Sequence, residues 1–192
     1  LAARPYAERM RETLAEVAAA GGEVSHPLLE TRDPVRKLEL VVLVSDRGLC
    51  GAFNANVLKA AQAVLAEREA AVESVSITAI GRKANDHFKR RRPKDLHKVM
   101  TGIARVEYGQ AVEIASYLSE RYRSGEADEV VLVFSEFVTT LNQSPRVLRL
   151  LPFSTGAEAA EAAGTGEARL PYEIAPSAEK PRETDVTEAL GG

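Results

Sequence analysis

Residues 45–51, Ser-Asp-Arg-Gly-Leu-Cys-Gly, combine glycines, charges and a thiol directly after an apolar run. A glycine-containing loop between a strand and a helix can present backbone N–H groups to a phosphate. Gly48 and Gly51 fit neither common phosphate-binding spacing, no Lys-Ser/Thr pair follows them, and Asp46 would repel an anion. We therefore predict a structural strand-to-helix turn in which Asp46 and Arg47 pair or cap, with no nucleotide or other cofactor. The residues of this turn are Asp46, Arg47, Gly48, Cys50 and Gly51.

Cys50 is the single cysteine of the chain, so an internal disulfide is excluded and a reducing compartment is favoured. As a nucleophile it would need a nearby base and an orienting group. The histidines His26, His87 and His97 stand at no recognised spacing from it, and no His or Cys pair has zinc-ligand spacing. We predict a buried structural cysteine, no catalytic residue and no metal site.

Four strands are predicted by the hydrophobic pattern. Residues 38–44 are almost continuously apolar and rich in valine, which is typical of a strand buried on both faces. Residues 75–80 alternate and are β-branched, which predicts a second strand, and residues 129–134 predict a third, fully buried strand. After a turn at 142–145, residues 146–151 predict an antiparallel edge strand.

Four helices are predicted as well. The first covers residues 5–20, the second follows Asn54 as its N-cap, and the third runs from 82 to 92. The fourth spans about 103–123 and ends near Gly125. Its predicted apolar face is formed by Tyr108, Ala111, Ala115, Leu118 and Tyr122.

Composition narrows the function classes. The chain of 192 residues is 45% hydrophobic with a net charge of −3, which is ordinary for a globular domain and does not favour nucleic acid. No apolar run approaches the roughly 20 residues that span a bilayer, and no secretory signal is visible. The chain starts at Leu1 and ends at Gly192, and we expect a fragment. A basic cluster predicts a solvated surface or, second, a site for an acidic partner; it comprises Lys89, Arg90, Arg91, Arg92 and Lys94.

Residues 45–51, followed by Asn54 and Asn56, closely resemble the gamma subunit of the F-type ATP synthase. Residues 3–8, 26–30 and 150–152 also stand in the order and approximate spacing of that family. The resemblance covers about residues 1–152 and continues more weakly through 172–177. The family then has a leucine-rich helical stretch, where this chain has the charged residues 179–184.

The resemblance implies an α/β fold: a Rossmann-like three-layer domain with a mostly parallel sheet, an antiparallel edge strand and an added N-terminal helix. The expected divisions are an N-terminal helix of the coiled-coil stalk region in residues 1–25 and the globular domain in 26–153. Residues 154–192 are expected to form a mobile linker, a short strand and a disordered C-terminal segment.

The resemblance also implies a non-catalytic subunit of the central rotor stalk, at the cytoplasmic face of the bacterial plasma membrane. Its implied partners are the alpha and beta subunits, through helices missing from this chain, and the epsilon subunit and c-ring. No nucleic acid and no direct membrane insertion are expected. The interface candidates facing epsilon and the ring are Arg4, Pro5, Tyr6, Tyr172, Glu173 and Ile174.

Two alternatives remain open. A stand-alone Rossmann-like nucleotide-binding enzyme would use residues 46–51, and a nucleic-acid-binding domain would use residues 89–94. The helical patterns at 5–20 and 103–123 are too short for a rotor shaft, whose two helices need sustained apolar heptads. We therefore expect the chain to be the globular foot of such a subunit.

Overall fold

A computed structural model of the protein describes residues 27–48, 52–102, 108–137 and 143–153. In these ranges the chain forms five strands and three helices. The strands are β1 (Lys37–Leu43), β2 (Ser74–Ile80), β3 (Leu96–Met100), β4 (Glu129–Phe137) and β5 (Gln143–Leu151). The helices are α1 (Phe53–Arg68), α2 (Arg82–Arg91) and α3 (Tyr108–Arg123).

The strands form one sheet in the order β3-β2-β1-β4-β5. β1 pairs in parallel with both β2 and β4, β2 pairs in parallel with β3, and β5 is antiparallel to β4. The predicted α/β class, with a mostly parallel sheet and an antiparallel edge strand, is confirmed. The predicted N-terminal helix and the segments 1–25 and 154–192 lie outside the described residues.

Helices cover both faces of the sheet, which makes three layers. On one face, α1 and α2 bury Val57, Ala61, Leu65 and Phe88 against the strands. On the other face, α3 packs through Leu118 and Tyr122 onto buried residues that include Val41, Val130 and Leu151. Side chains along β1 alternate between the two cores, because successive residues of a strand point to opposite faces.

Two edge strands differ from the sequence prediction. β3 was not predicted: it is short, and its residues alternate between half-buried and exposed. β5 begins at Gln143, so the predicted turn at 142–145 is wrong for residues 143–145, which pair with residues 135–137 of β4. A proline fits there because an edge strand can dispense with one backbone donor.

The predicted apolar face of α3 is only half correct. Leu118 and Tyr122 are buried, but Tyr108, Ala111 and Ala115 are exposed, Tyr108 to 83%. The described helix starts at Tyr108, and residues 103–107 of the prediction lie outside the described part. The C-terminal half of α3 therefore supplies its buried contacts with the sheet. β4 is likewise less buried than predicted, since Leu132 and Phe134 are half-buried.

Candidate functional site

The turn after β1 is held by side-chain bonds between the strand end and the start of α1. The Ser45 backbone N–H donates to Asn54 Oδ1 at 3.0 Å, and Asn54 Nδ2 donates to the Arg47 carbonyl at 3.1 Å. The Ser45 hydroxyl donates to the same carbonyl at 2.7 Å. Asn54 is therefore not the predicted N-cap: α1 begins at Phe53, with Ala52 at the cap position and no side-chain cap bond.

Asp46 contacts the first turn of the next helix. Its Oδ1 accepts the backbone N–H of Arg82 at 2.8 Å, where α2 begins. A helix N-terminus at the carboxyl ends of parallel strands is the usual position of a bound phosphate. Here the Asp46 carboxylate accepts one of the N–H groups that a phosphate would otherwise accept. Cys50 and Gly51 lie outside the described residues, so their predicted structural role stays a prediction.

Gly81 explains how α2 comes so close to this turn. Its φ is 99°, and a Cβ built on it would lie 2.1 Å from the carbonyl oxygen of Val44. Only glycine fits a backbone approach this close at a positive φ. By contrast, a Cβ on Gly48 would meet only the Lys83 side chain, at 3.5 Å.

The basic cluster is divided between paired and solvent-facing cations. Arg92 is half-buried and pairs with Glu69 and with Asp95, the latter at 2.7 Å. Arg90 Nε donates to the Asp86 carbonyl at 3.0 Å, and Arg91 lies 3.4 Å from His87 Nδ1. The exposed members are Lys89, Arg90, Arg91 and Lys94.

The described histidines do not form a metal site. Among residues 27–48, 52–102, 108–137 and 143–153, no three His, Cys, Asp or Glu side chains are grouped as metal ligands. Burial lowers the pKa of His87, and Arg91 and Arg90 lower it further. His26 lies outside the described residues. His97 lines an open cleft of about 680 Å³ beside the starts of β1 and β2.

That cleft has balanced charge. Its lining includes Arg92, Arg121, Asp95 and Glu126, and Arg121 pairs with Glu126 at 2.7 Å across the wall. Arg92 pairs with Asp95. Because these opposite charges pair with each other, the cleft does not select an anionic or a cationic ligand.

A buried charge, not singled out from the sequence, lies beneath α3. Glu39 is fully buried in β1 and accepts hydrogen bonds from Thr78 Oγ1 at 2.7 Å and from Arg121 Nε at 2.8 Å. Arg121 also donates to Ser76 Oγ at 3.0 Å. Burial raises the pKa of Glu39, although Thr78 and Arg121 both oppose the rise. A glutamate inside an apolar run was the available signal, because a buried charge needs a partner.

A second polar group joins the loop before β1 to the end of α3. Arg32 Nη1 donates to the carbonyl of Ala127 at 2.8 Å and lies 3.3 Å from Asp128 Oδ1. Its Nη2 donates to the carbonyl of Tyr122 at 2.5 Å. Asp128 Oδ2 accepts the backbone N–H groups of Arg36 and Lys37 at 3.0 and 2.9 Å. No local sequence pattern marks these contacts, since Arg32 and Asp128 are 96 residues apart.

The interface candidates Arg4, Pro5, Tyr6, Tyr172, Glu173 and Ile174 all lie outside the described residues. Of the predicted site residues, the structure therefore places only Asp46, Arg47 and Gly48. These three lie in the turn at the carboxyl end of β1, where Asn54 bonds to the Arg47 carbonyl and Asp46 accepts the Arg82 N–H, and their structural role stays a prediction.

Comparison with known proteins agrees with this architecture. A family model described as ATP synthase matches residues 1–190. The ATP synthase gamma chain of Pelotomaculum thermopropionicum is 44% identical over 163 residues, which cover 84% of this chain and 56% of that protein. The gamma chain of Anaeromyxobacter sp. strain Fw109-5 is 42% identical over 167 residues, 85% of this chain and 57% of that protein.

A solved structure shows the same fold. The chain matches one in the central stalk and c-ring structure of the Tetrahymena thermophila mitochondrial ATP synthase, with a TM-score of 0.54 and 18% identity. The match covers 76% of this chain and 70% of that one. The chain spans a little over half the length of the curated relatives named above. Because the family model matches nearly every residue, the chain belongs to the ATP synthase family that this model describes, and the relatives named above are gamma chains of that family.

Proposed function

We propose that this chain is part of the central rotor stalk of an F-type ATP synthase. In this role it is non-catalytic and couples proton-driven rotation of the c-ring to conformational changes at catalytic sites on other subunits. The observation that carries the proposal is the family match over residues 1–190, with 44% identity to a gamma chain.

The geometry of the domain supports a position at the foot of the stalk. The backbone N–H of Phe153 donates to the Leu28 carbonyl at 3.0 Å, so residues 1–26 and 154–192 join the domain at adjacent points. A shaft made of two chain segments requires such neighbouring exits. The longest described helices have 16 residues and span about 24 Å at 1.5 Å per residue. The shaft therefore belongs to segments beyond this domain.

The proposed partners are the epsilon subunit and the c-ring beside the domain, and the alpha and beta subunits around the shaft. The proposed contacts toward epsilon and the ring are Arg4, Pro5, Tyr6, Tyr172, Glu173 and Ile174. We place the subunit peripherally at the cytoplasmic face of a bacterial plasma membrane. In the described part of the chain, no helix combines the length and apolar character that crossing a membrane requires.

The test is reconstitution of gamma-depleted complexes in sealed vesicles. A full-length subunit carrying this sequence is expected to restore proton-driven ATP synthesis. The 192-residue chain is expected to bind epsilon without restoring synthesis. Failure of the full-length subunit to assemble or couple would contradict the rotor proposal. Wild-type synthesis with the 192-residue chain would contradict the separate argument about the shaft.

A further inference from the structure

Two covalent routes connect the outer chain segments to the sheet. On the C-terminal side, the route is β5, which is itself a strand of the sheet. Its last residue, Leu151, lies two residues before Phe153, is 4% exposed and pairs with Val130. On the N-terminal side, residues 29–36 lie between Leu28 and the first residue of β1, Lys37. This loop is not a sheet strand, so its own bonds decide how firmly Leu28 is tied to the domain.

Arg32 supplies the central bonds of that loop. Its guanidinium donates to the carbonyls of Tyr122 and Ala127 and pairs with Asp128, which lie at the end of α3 and just before β4. The same group stacks 4.6 Å from the centre of the Tyr122 ring. A planar guanidinium can donate in several fixed directions at once, which a lysine ammonium on a flexible stem cannot reproduce.

Neighbouring bonds complete the attachment on both sides of Arg32. Tyr122 is fully buried, and its hydroxyl donates to the Glu30 carbonyl at 2.5 Å. Asp128 accepts hydrogen bonds from the backbone N–H groups of Arg36 and Lys37. The loop is thus fixed at Glu30, at Arg32 and at its junction with β1. All three attachments lead to the α3–β4 corner of the domain.

We propose that Arg32 is a positioning residue that sets the torsional stiffness between the domain and the chain segments joined to it. The inference rests on the proposed rotor function. Twist between shaft and foot passes through both routes in parallel, and Arg32 stiffens the one that lacks strand pairing. Loss of its charge-assisted bonds weakens the N-terminal route and shifts load to the β5 route.

The experiment compares full-length subunits in the assembled complex, with the catalytic head fixed and a bead on the c-ring. The angular variance of the bead in the stalled enzyme reports torsional stiffness. Arg32→Ala should raise this variance by up to about twofold, because one of two parallel routes is loosened. Arg32→Lys should give an intermediate value, since it keeps the charge but not the fixed donor directions.

Two controls separate stiffness from stability. Arg36 lies in the same loop, but its side chain is 59% exposed and forms a long ion pair of 3.6 Å with Glu73. Arg36→Ala should therefore leave the variance unchanged. Leu65→Ala should destabilise the opposite core without changing the variance. If Arg32→Ala prevents assembly, Arg32→Lys decides the question, because it retains the ion pair with Asp128.

The outcomes distinguish the inference from the function on which it rests. Wild-type variance in Arg32→Ala and Arg32→Lys, in complexes that rotate, would overturn the role of Arg32 and leave the rotor proposal standing. A wild-type subunit that does not rotate would refute the rotor proposal itself. An equal rise in variance for Leu65→Ala would show that general destabilisation, and not the Arg32 attachment, controls the stiffness.

Discussion

On the face covered by α1 and α2, β1 and β2 bury Leu40, Val42 and Ile77, whereas on the α3 face the same strands bury Glu39 and Thr78. Non-directional apolar contact supplies most of the contact between the first pair of layers, and an ion pair between Arg68 of α1 and Glu129 of β4 adds to it. On the second face, a few bonds of fixed direction add to a smaller apolar core. One sheet thus holds its two helical layers by different balances of apolar and polar contact.

The difference has a consequence for how each helix is positioned. Apolar side chains tolerate small rotations of a helix, since hydrophobic burial is proportional to area and has no direction. Arg121 contacts both strands, through Glu39 and Ser76, and also Glu126 beyond α3. The rotation and the height of α3 over the sheet are therefore fixed by hydrogen-bond geometry at this residue.

Removal of Arg121 should have the largest effect on stability. Arg121→Ala should lower the free energy of unfolding by about 3–5 kcal/mol at pH 7, because Glu39 is left buried without its cation. Denaturant unfolding of the 192-residue chain measures the loss. The loss of unfolding free energy should be smaller at acidic pH, because Glu39 is then protonated and needs no cation.

A double variant provides the matched control for that loss. Glu39→Met combined with Arg121→Met replaces the buried pair by apolar side chains, and such replacements are often neutral or stabilising. The double variant should therefore be closer to wild type than Arg121→Ala. A single variant with wild-type stability would show that the pair does not hold α3.

Truncation on the apolar face should cost less and should not depend on pH. Leu65 is 3% exposed in the core beneath α1. Leu65→Ala should lower the free energy of unfolding by about 2–4 kcal/mol through lost burial and the cavity left behind. The loss should be the same at pH 5 and pH 8. A loss that varied with pH would mean that the two faces are not independent.

The pH dependence of the α3 face follows from Glu39. Its pKa in the folded chain is raised above the ordinary 4.5, mainly by burial. The folded state therefore holds the proton more tightly than the unfolded state. The stabilisation of the folded state by this tighter proton binding is complete below pH 4.5. It is lost as the pH rises through the pKa of Glu39 in the folded chain.

Glu39→Gln isolates this contribution. The difference in unfolding free energy between wild type and Glu39→Gln should fall as the pH rises from 4.5, by at most about 1.4 kcal/mol per pH unit. Denaturant midpoints in matched buffers measure it. A difference that stayed flat, or rose with pH, would contradict a raised pKa for Glu39.

The apolar face of this fold could be predicted from the sequence better than the polar face. Continuous runs such as residues 38–44 and 129–134 predicted the central strands, because a strand covered on both faces is mostly apolar. The edge strand β3 was missed, since five residues that alternate between half-buried and exposed, beside a basic cluster, resemble a loop. Spacing along α3 could not tell which half of the helix lies over the sheet.

Contacts between distant residues explain the rest of what was missed. The position of Glu39 in an apolar run indicated that it needs a charged partner, but that partner, Arg121, is 82 residues away in the sequence. Arg32 and Asp128 are further apart still, and nothing local distinguishes them from surface charges. The turn at 45–48 was predicted as structural, yet its bonds go to Asn54 and to the start of α2, which only the fold brings near.

The smallest effect is expected at the start of α2, on the apolar face. Asp46 accepts the Arg82 N–H at the start of α2, at an exposed position. Asp46→Ala should lower the free energy of unfolding by about 1 kcal/mol, as expected for losing a helix-capping acceptor. Asp46→Asn keeps a carbonyl acceptor in the same place and should recover most of that loss.

The same pair of variants tests the nucleotide-binding alternative, which places a phosphate where the Asp46 carboxylate now lies. Because the glycine spacing of this turn is wrong and no clamping lysine follows, removing the negative charge should not create a site. Calorimetric titration of wild type, Asp46→Ala and Asp46→Asn with ATP or NAD should show no saturable binding at micromolar ligand. Saturable binding to wild type would revive the enzyme alternative. Binding to Asp46→Ala alone would show that the carboxylate blocks an otherwise competent phosphate site.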